Sequence, residues 1–230
     1  MRAFAELLDR LSLTASRNAK LVLVRDYLRA TPDPDRGWAL AALTGDLTFD
    51  AAKPAMIRKA VEGRVDSVLF GWSYDYVGDL AETVALIWPA APDRRPNREP
   101  ELSEVVEALR TASRAEVRGL LETWLDALEP KGRWALLKLM TGALRVGLSA
   151  RLAKTAAAMM RPDAAPAPPS PDGREGETAL ETLDASAIEE VWHAVEPPYA
   201  DLFAWLEGRA DRPSPGAPGR VRPGLLVVST

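Results

Sequence analysis

The chain has 230 residues, of which 47% are apolar and 27% charged, the composition of an ordinary globular protein of one or two domains. It has no cysteine and one histidine, His193, which excludes disulfides, cysteine zinc sites and multi-histidine metal sites. The net charge of −4 and the pI near 5.3 argue against a nucleic-acid-binding surface that covers the whole molecule, because such domains often have a pI above about 9.

Apolar residues recur at helical spacing through the first half of the chain. Phe4, Leu7 and Leu8 are the first such set, and the charges interleaved with them are not those of a secretory signal. The helices predicted here cover 4–11, 21–28, 51–64, 68–76, 80–88 and 102–110. No apolar run reaches the roughly 18 residues of a membrane span, so we expect no membrane association and a cytoplasmic location.

The second half is also predicted to be helical. Capping-box patterns at Ser113 and Ser186 each predict the start of a helix. The helices predicted here cover 113–128, 131–143, 150–161, 186–193 and 202–207. No segment alternates with a period of two and no short repeat recurs, so the predicted fold class is all-α without a solenoid.

Two segments interrupt the helical pattern. Residues 162–176 are rich in proline and predict a flexible internal loop, and residues 211–230 predict a disordered tail rich in proline and glycine. The predicted organisation is therefore one domain over 1–210, followed by the tail.

Charge is distributed unevenly between two adjoining segments. Residues 131–161 carry seven basic side chains and no acidic one, whereas residues 162–207 carry eleven acidic side chains and one basic. Lys131, Lys138 and Arg145 are seven residues apart, so a continuous helix would present them on one face. This basic segment is the best sequence indication of function.

A glycine–arginine pattern lies at the centre of the basic segment. Gly142 and Gly147 bracket Arg145 and allow another backbone to approach closely, while Ser149 can cap the helix that follows. Basic charge beside a helix start suits a phosphate chain. A solvated basic face with glycine helix breakers is the alternative interpretation.

The segment resembles the signature of the N-terminal DNA-binding domain of ATP-dependent DNA ligases, Gly-x-Leu-Arg-(Ile/Leu/Val)-Gly-(Leu/Val), which matches at residues 142–148. Three further stretches agree in order with that family: 16–20, 76–82 and 192–208. The resemblance covers about residues 1–210.

The resemblance implies an orthogonal array of helices that grips nicked duplex DNA through the minor groove and the phosphates, without reading sequence. It implies a role in DNA repair, recombination or replication. The DNA-binding residues that it indicates are Gly142, Ala143, Leu144, Arg145, Gly147, Ser149, Arg151, Lys154, Lys138, Arg17 and Lys20.

Catalysis in that family needs a nucleotidyltransferase domain with a Lys-x-Asp-Gly motif, whose lysine attacks the α-phosphate of ATP. The 230 residues contain no such motif, so we expect no catalytic or metal-binding residue here, and ATP and Mg²⁺ would belong to a separate catalytic domain. A truncated or frameshifted ligase, or a separate DNA-binding domain that works with a catalytic domain in trans, would explain this.

A different class of function also fits the charge pattern. The basic face could dock an acidic protein partner, including the acidic residues of this chain's own 162–207 segment.

Overall fold

The computed structural model describes residues 1–50, 52–89, 98–142, 144–161 and 185–214, and these form twelve helices and no strand. The prediction of an all-α fold is confirmed. The helices are α1 (Arg2–Leu13), α2 (Arg17–Ala30), α3 (Asp35–Thr44), α4 (Pro54–Glu62), α5 (Ser67–Val77), α6 (Leu80–Ile87), α7 (Leu102–Thr111), α8 (Arg114–Ala127), α9 (Pro130–Thr141), α10 (Ala150–Ala158), α11 (Ala185–Trp192) and α12 (Ala200–Leu206).

Local capping chemistry sets several of the helix boundaries. Ser113 accepts a hydrogen bond from the Glu116 N–H at 3.4 Å, and the Glu116 carboxylate accepts one from the Ser113 N–H at 2.8 Å, so the predicted capping box is present at the start of α8. The helix predicted to begin at Ser186 is present as α11, Ala185–Trp192, and the side chain of Ser186 lies outside the described residues.

Helix α3 has no counterpart among the predicted helices. Eight of its ten residues are buried, from Arg36 to Leu43. A helix that is buried all round has no polar stripe, and therefore lacks the periodicity by which amphipathic helices are recognised.

The core is built by crosswise packing between the two halves of the chain. Helix α1 packs on α9 and α2 packs on α10, while α3 packs on α7 and α4 packs on α8. Helix α10 also contacts α3 and α11, so it lies at the centre of the array.

Helices α1–α4 and α7–α10 form a long internal repeat. Thr-Ala-Ser-Arg occurs at 14–17 and 111–114, each time at a helix start, and Trp-Ala-Leu occurs at 38–40 in α3 and 134–136 in α9. Both α3 and α9 end at a glycine with positive φ, Gly45 and Gly142. The crosswise pairing follows the repeat, because α1 on α9 corresponds to α7 on α3, and α2 on α10 corresponds to α8 on α4. A unit of four helices is too long to appear in the sequence as a short repeat.

The last two helices belong to the same core. Ile188, Val191, Leu202 and Phe203 are almost wholly buried within it. An ion pair between α3 and the end of α12 reinforces the junction. The predicted loop over 162–176, the tail beyond residue 214 and Ala143 lie outside the described residues.

Polar groups of α3 and of the turn before it hold α12 in place. The Arg36 guanidinium binds the Asp33 carboxylate at 2.7 Å and the Glu207 carboxylate, and lies 4.3 Å from the centre of the Phe203 ring. Gly37 meets the backbone of Pro198 so closely that an added Cβ would lie 1.6 Å from the Pro198 carbonyl oxygen. This close fit joins the C-terminal helices to the first half of the chain.

Candidate nucleic-acid interface

A short loop at residues 142–149 joins α9 to α10 and carries the glycine–arginine pattern. Gly142 ends α9 with a φ of 68°, and Gly147 has a φ of 64°, a region that favours glycine. The Ser149 hydroxyl accepts a hydrogen bond from the Leu152 N–H at 3.3 Å and so caps α10. The loop therefore ends at the N-terminus of a helix, where backbone N–H groups favour an anion.

Lys20 of α2 holds this loop in position. Its ammonium donates to the Val146 carbonyl at 2.8 Å and to the Gly147 carbonyl at 2.9 Å, and the residue is only 8% exposed. A Cβ at position 147 would lie 2.5 Å from that ammonium, so glycine is needed there for space as well as for its backbone conformation. Lys20 thus acts inside the protein, as a clamp between α2 and the 142–149 loop.

Arg145 and Arg151 present their charge to solvent. Both are exposed, and neither guanidinium has a hydrogen bond or an ion pair within the part of the chain that the structure describes. Arg17 is also exposed, at the first residue of α2. Since Arg17 precedes Lys20 by three residues, the two share one face of α2, the face from which Lys20 reaches the loop.

The other five basic residues of the 131–161 segment are engaged with protein groups. Lys138 binds the Asp79 carboxylate at 2.6 Å, Lys154 binds Glu189 at 2.9 Å, and Lys131 binds Asp9 at 2.7 Å. Arg133 donates to the Leu125 carbonyl at 2.7 Å, and Arg161 lies 5.2 Å from the centre of the Trp205 ring. Only part of the charge excess therefore reaches the surface unpaired.

The continuous helix that would place Lys131, Lys138 and Arg145 on one face is absent. Because α9 ends at Thr141 and the chain turns at Gly142, Arg145 is not on the same helix as the two lysines. The side chains of Lys138 and Lys154 are 12% and 13% exposed, whereas Arg145 and Arg151 lie open to solvent. The basic residues among the predicted DNA contacts thus divide into exposed arginines and lysines that bind protein groups.

The Lys138–Asp79 pair links two helices beside the loop. Burial alone would raise the pKa of the Asp79 carboxyl, but the bonds from Lys138 and from the Glu82 N–H hold that pKa below its ordinary value. Asp79 is also the N-cap of α6. One carboxylate therefore fixes both the start of α6 and the last turn of α9.

The acidic segment contacts the basic one at a single described ion pair. Glu189 of α11 binds Lys154 of α10, whose ammonium also lies 4.3 Å from the centre of the Trp192 ring. The other carboxylates with described partners bind elsewhere, Glu190 with Arg212 and Glu207 with Arg36 and Arg209. Among the described residues, Arg145 and Arg151 are not covered by this segment.

Two further features of the described residues bear on function. They include no group of three or more His, Asp or Glu side chains placed to hold a metal ion. None of their helices is long and apolar enough to span a membrane.

Comparison with known proteins relates the chain to a family. A family model described as "DNA ligase N terminus" matches residues 1–158, which covers α1–α10 and all of the predicted contact residues. No curated protein matches the chain. The family match extends over both halves of the internal repeat and ends at the last residue of α10.

Proposed function

The chain belongs to the DNA ligase N-terminus family, and we propose that it binds nicked duplex DNA through the phosphates that flank the minor groove. The observation that carries this proposal is the pair of exposed arginines, Arg145 and Arg151, at a loop that Lys20 holds against α2. A duplex carries closely spaced phosphates, and exposed guanidinium groups can bind phosphate oxygens bidentately.

Each residue of the interface has its own role. Arg145 reaches a phosphate or the groove from the loop, and Arg151 binds a neighbouring phosphate from the first turn of α10. Ser149 caps that turn by accepting from the Leu152 N–H, and the other N–H groups of the first turn of α10 favour an anion. Arg17 adds a cation from the start of α2, Gly142 and Leu144 lie beside Arg145 in the chain, and Gly147 makes room for Lys20.

Lys20, Lys138 and Lys154 support the interface from within. Their ammonium groups are held by two carbonyls, by Asp79 and by Glu189, so binding a phosphate would require each to leave a protein partner. Since contacts to phosphate carry no base information, the proposed binding is independent of sequence.

The chemistry of sealing belongs to another domain in this proposal. The 230 residues lack Lys-x-Asp-Gly, so ATP and Mg²⁺ would be bound by a catalytic domain that is separate in sequence or in trans. The chain would then serve DNA repair, recombination or replication in the cytoplasm by holding the substrate.

Replacing Arg145 by Glu tests the proposal. The variant should bind a nicked duplex at least about tenfold more weakly, equally for unrelated sequences, because one phosphate contact becomes a repulsion. Fluorescence anisotropy at several NaCl concentrations measures the slope of log K against log[NaCl]. For the unaltered chain this slope should be about −3 to −4 or steeper, and for the variant it should be about one unit shallower.

Arg2→Glu is the matched control, since Arg2 is 80% exposed and lies at the end of α1 farthest from the start of α2. It makes the same charge change away from the interface and should alter affinity little. Equal losses for the two variants, or a salt slope near zero for the unaltered chain, would refute the proposed interface.

A further inference from the structure

A second cluster of exposed cations lines a cleft between α4 and α8. The cleft has a volume of about 560 Å³, and its lining includes Lys53, Lys59, Arg114 and Arg118. Ala55, Met56 and Ala115 complete the lining, which contains no acidic side chain. A concave surface with four cations above an apolar floor suits a polyanion that also presents apolar edges, as phosphates and sugars of a nucleic-acid strand do.

Most of this charge is not neutralised by the protein. Lys53, Lys59 and Arg114 have no hydrogen bond or ion pair from their side chains in the described ranges of the chain. Arg118 binds Glu122 at 3.1 Å but remains 50% exposed. Three to four positive charges are therefore available in one cleft. In a chain with a net charge of −4, acidic side chains would be expected to pair with them.

The internal repeat relates this cleft to the interface around the 142–149 loop. Arg114 follows the N-cap Ser113 in α8 as Arg17 follows the N-cap Ser16 in α2. Lys53 is the N-cap of α4, at the position that Ser149 holds in α10. Because α8 packs on α4 as α2 packs on α10, the repeat makes the cleft the counterpart of the proposed interface.

We propose that the α4–α8 cleft is a second contact with the phosphate backbone of the same DNA duplex. The inference rests on the proposed function, since it assigns a further surface to the DNA that the 142–149 loop binds. The two sites differ in how they attract phosphate. The interface around the 142–149 loop uses exposed arginines beside a glycine loop, while the α4–α8 cleft uses lysine and arginine side chains around an apolar floor.

The test is the double variant Lys59→Glu with Arg114→Glu in the full chain. Both positions are exposed, and an acidic residue at the first position of α8 is favourable for the helix, so the fold should persist. Binding to a nicked duplex at low salt should weaken at least about tenfold, and the salt slope should become shallower by one to two units. The control is Arg2→Glu with Arg212→Glu, which changes the net charge equally at two exposed positions outside the cleft.

Comparison with Arg145→Glu separates the two proposals. Unchanged affinity for the cleft variant beside weakened binding for Arg145→Glu would overturn the second contact and leave the proposed function standing. Unchanged affinity for both variants would overturn both, and equal losses in the cleft and control variants would overturn the second contact.

Hydroxyl-radical footprinting of the nicked duplex provides an independent readout. At protein concentrations that saturate the duplex, the cleft variant should protect fewer sugars than the unaltered chain, and the loss should lie on one side of the footprint only. A footprint of unchanged extent would overturn the second contact.

Discussion

Lys20 illustrates how a cation of the proposed DNA-binding surface can act on the protein itself. Its ammonium is 2.8 Å and 2.9 Å from two carbonyl oxygens of the loop that carries Arg145, and almost none of the residue is exposed. The charge therefore stabilises the conformation that brings Arg145 to the surface.

Replacing Lys20 by Met removes this clamp at similar side-chain length. The Val146 and Gly147 carbonyls then lose a charged donor, so the free energy of unfolding should fall by about 1–3 kcal/mol. Affinity for nicked duplex should also fall because the loop loses its support, yet the salt slope should stay the same because no phosphate contact is removed.

Urea unfolding and anisotropy at several NaCl concentrations measure these effects. Arg145→Glu is the contrasting variant, with a shallower slope and little effect on unfolding. A slope shallower by about one unit in Lys20→Met would mean that Lys20 itself neutralises a phosphate.

The basic residues also show what the sequence can predict at this scale. The excess of cations in 131–161 and the cap at Ser149 could be recognised from neighbouring residues. The ion-pair partners could not, because Asp9, Asp79 and Glu189 are distant in the chain and only the packing of helices brings them to their lysines. The sequence alone therefore could not distinguish Arg145 and Arg151 from the basic residues whose charge is neutralised by a protein partner.

At the level of elements, Asp79 joins the start of α6 to the end of α9. Its carboxylate accepts the Glu82 N–H at 3.0 Å as an N-cap and binds Lys138 at 2.6 Å. The Asp79 pKa is held below its ordinary value in the folded protein, so this ion pair stabilises the fold above the unfolded-state pKa of about 3.9 and ceases to do so as the pH falls through the folded-state pKa.

Asp79→Asn isolates the charge, because asparagine is also a good N-cap. At pH 5–7 the variant should be less stable than the unaltered chain by at most about 1 kcal/mol, since the pair is partly exposed. The difference should shrink as the pH falls below about 4. Urea unfolding across this range measures it, and a difference that persists at pH 2 would assign the effect to lost packing instead of charge.

A helix could be predicted from the sequence when only one of its sides is buried in the core. Helices α1 and α2 bury one side, so Phe4, Leu8, Leu21 and Val24 recur with a helical period. Helix α3 is buried on all sides and gives no such period. The α4–α8 cleft was missed for another reason, since its cations come from two segments that only the crosswise packing brings together, although the second Thr-Ala-Ser-Arg at 111–114 was a signal for it.

For the whole molecule, the core reaches beyond the family match. The match ends at residue 158, whereas Ile188, Val191, Leu202, Phe203 and Leu206 of α11 and α12 are buried in the same core as α1–α10. Arg36 and Gly37 of α3 face α12 and the turn before it. The folding unit should accordingly include residues 185–210.

Shortening the chain tests where the folding unit ends. A chain of residues 1–158 exposes the apolar surface that α11 and α12 cover and leaves the Arg36 guanidinium without Glu207, so its thermal midpoint should lie at least about 10 °C lower. A chain of residues 1–214 is the control and should unfold at the same temperature as the full chain. Near-ultraviolet circular dichroism on heating reports the packing of Trp38 and the other core aromatics, and equal midpoints for all three chains would show that α11 and α12 add little to the core. Since α10 packs on both α2 and α11, the shorter chain should also bind nicked duplex more weakly, even though every proposed phosphate contact is retained.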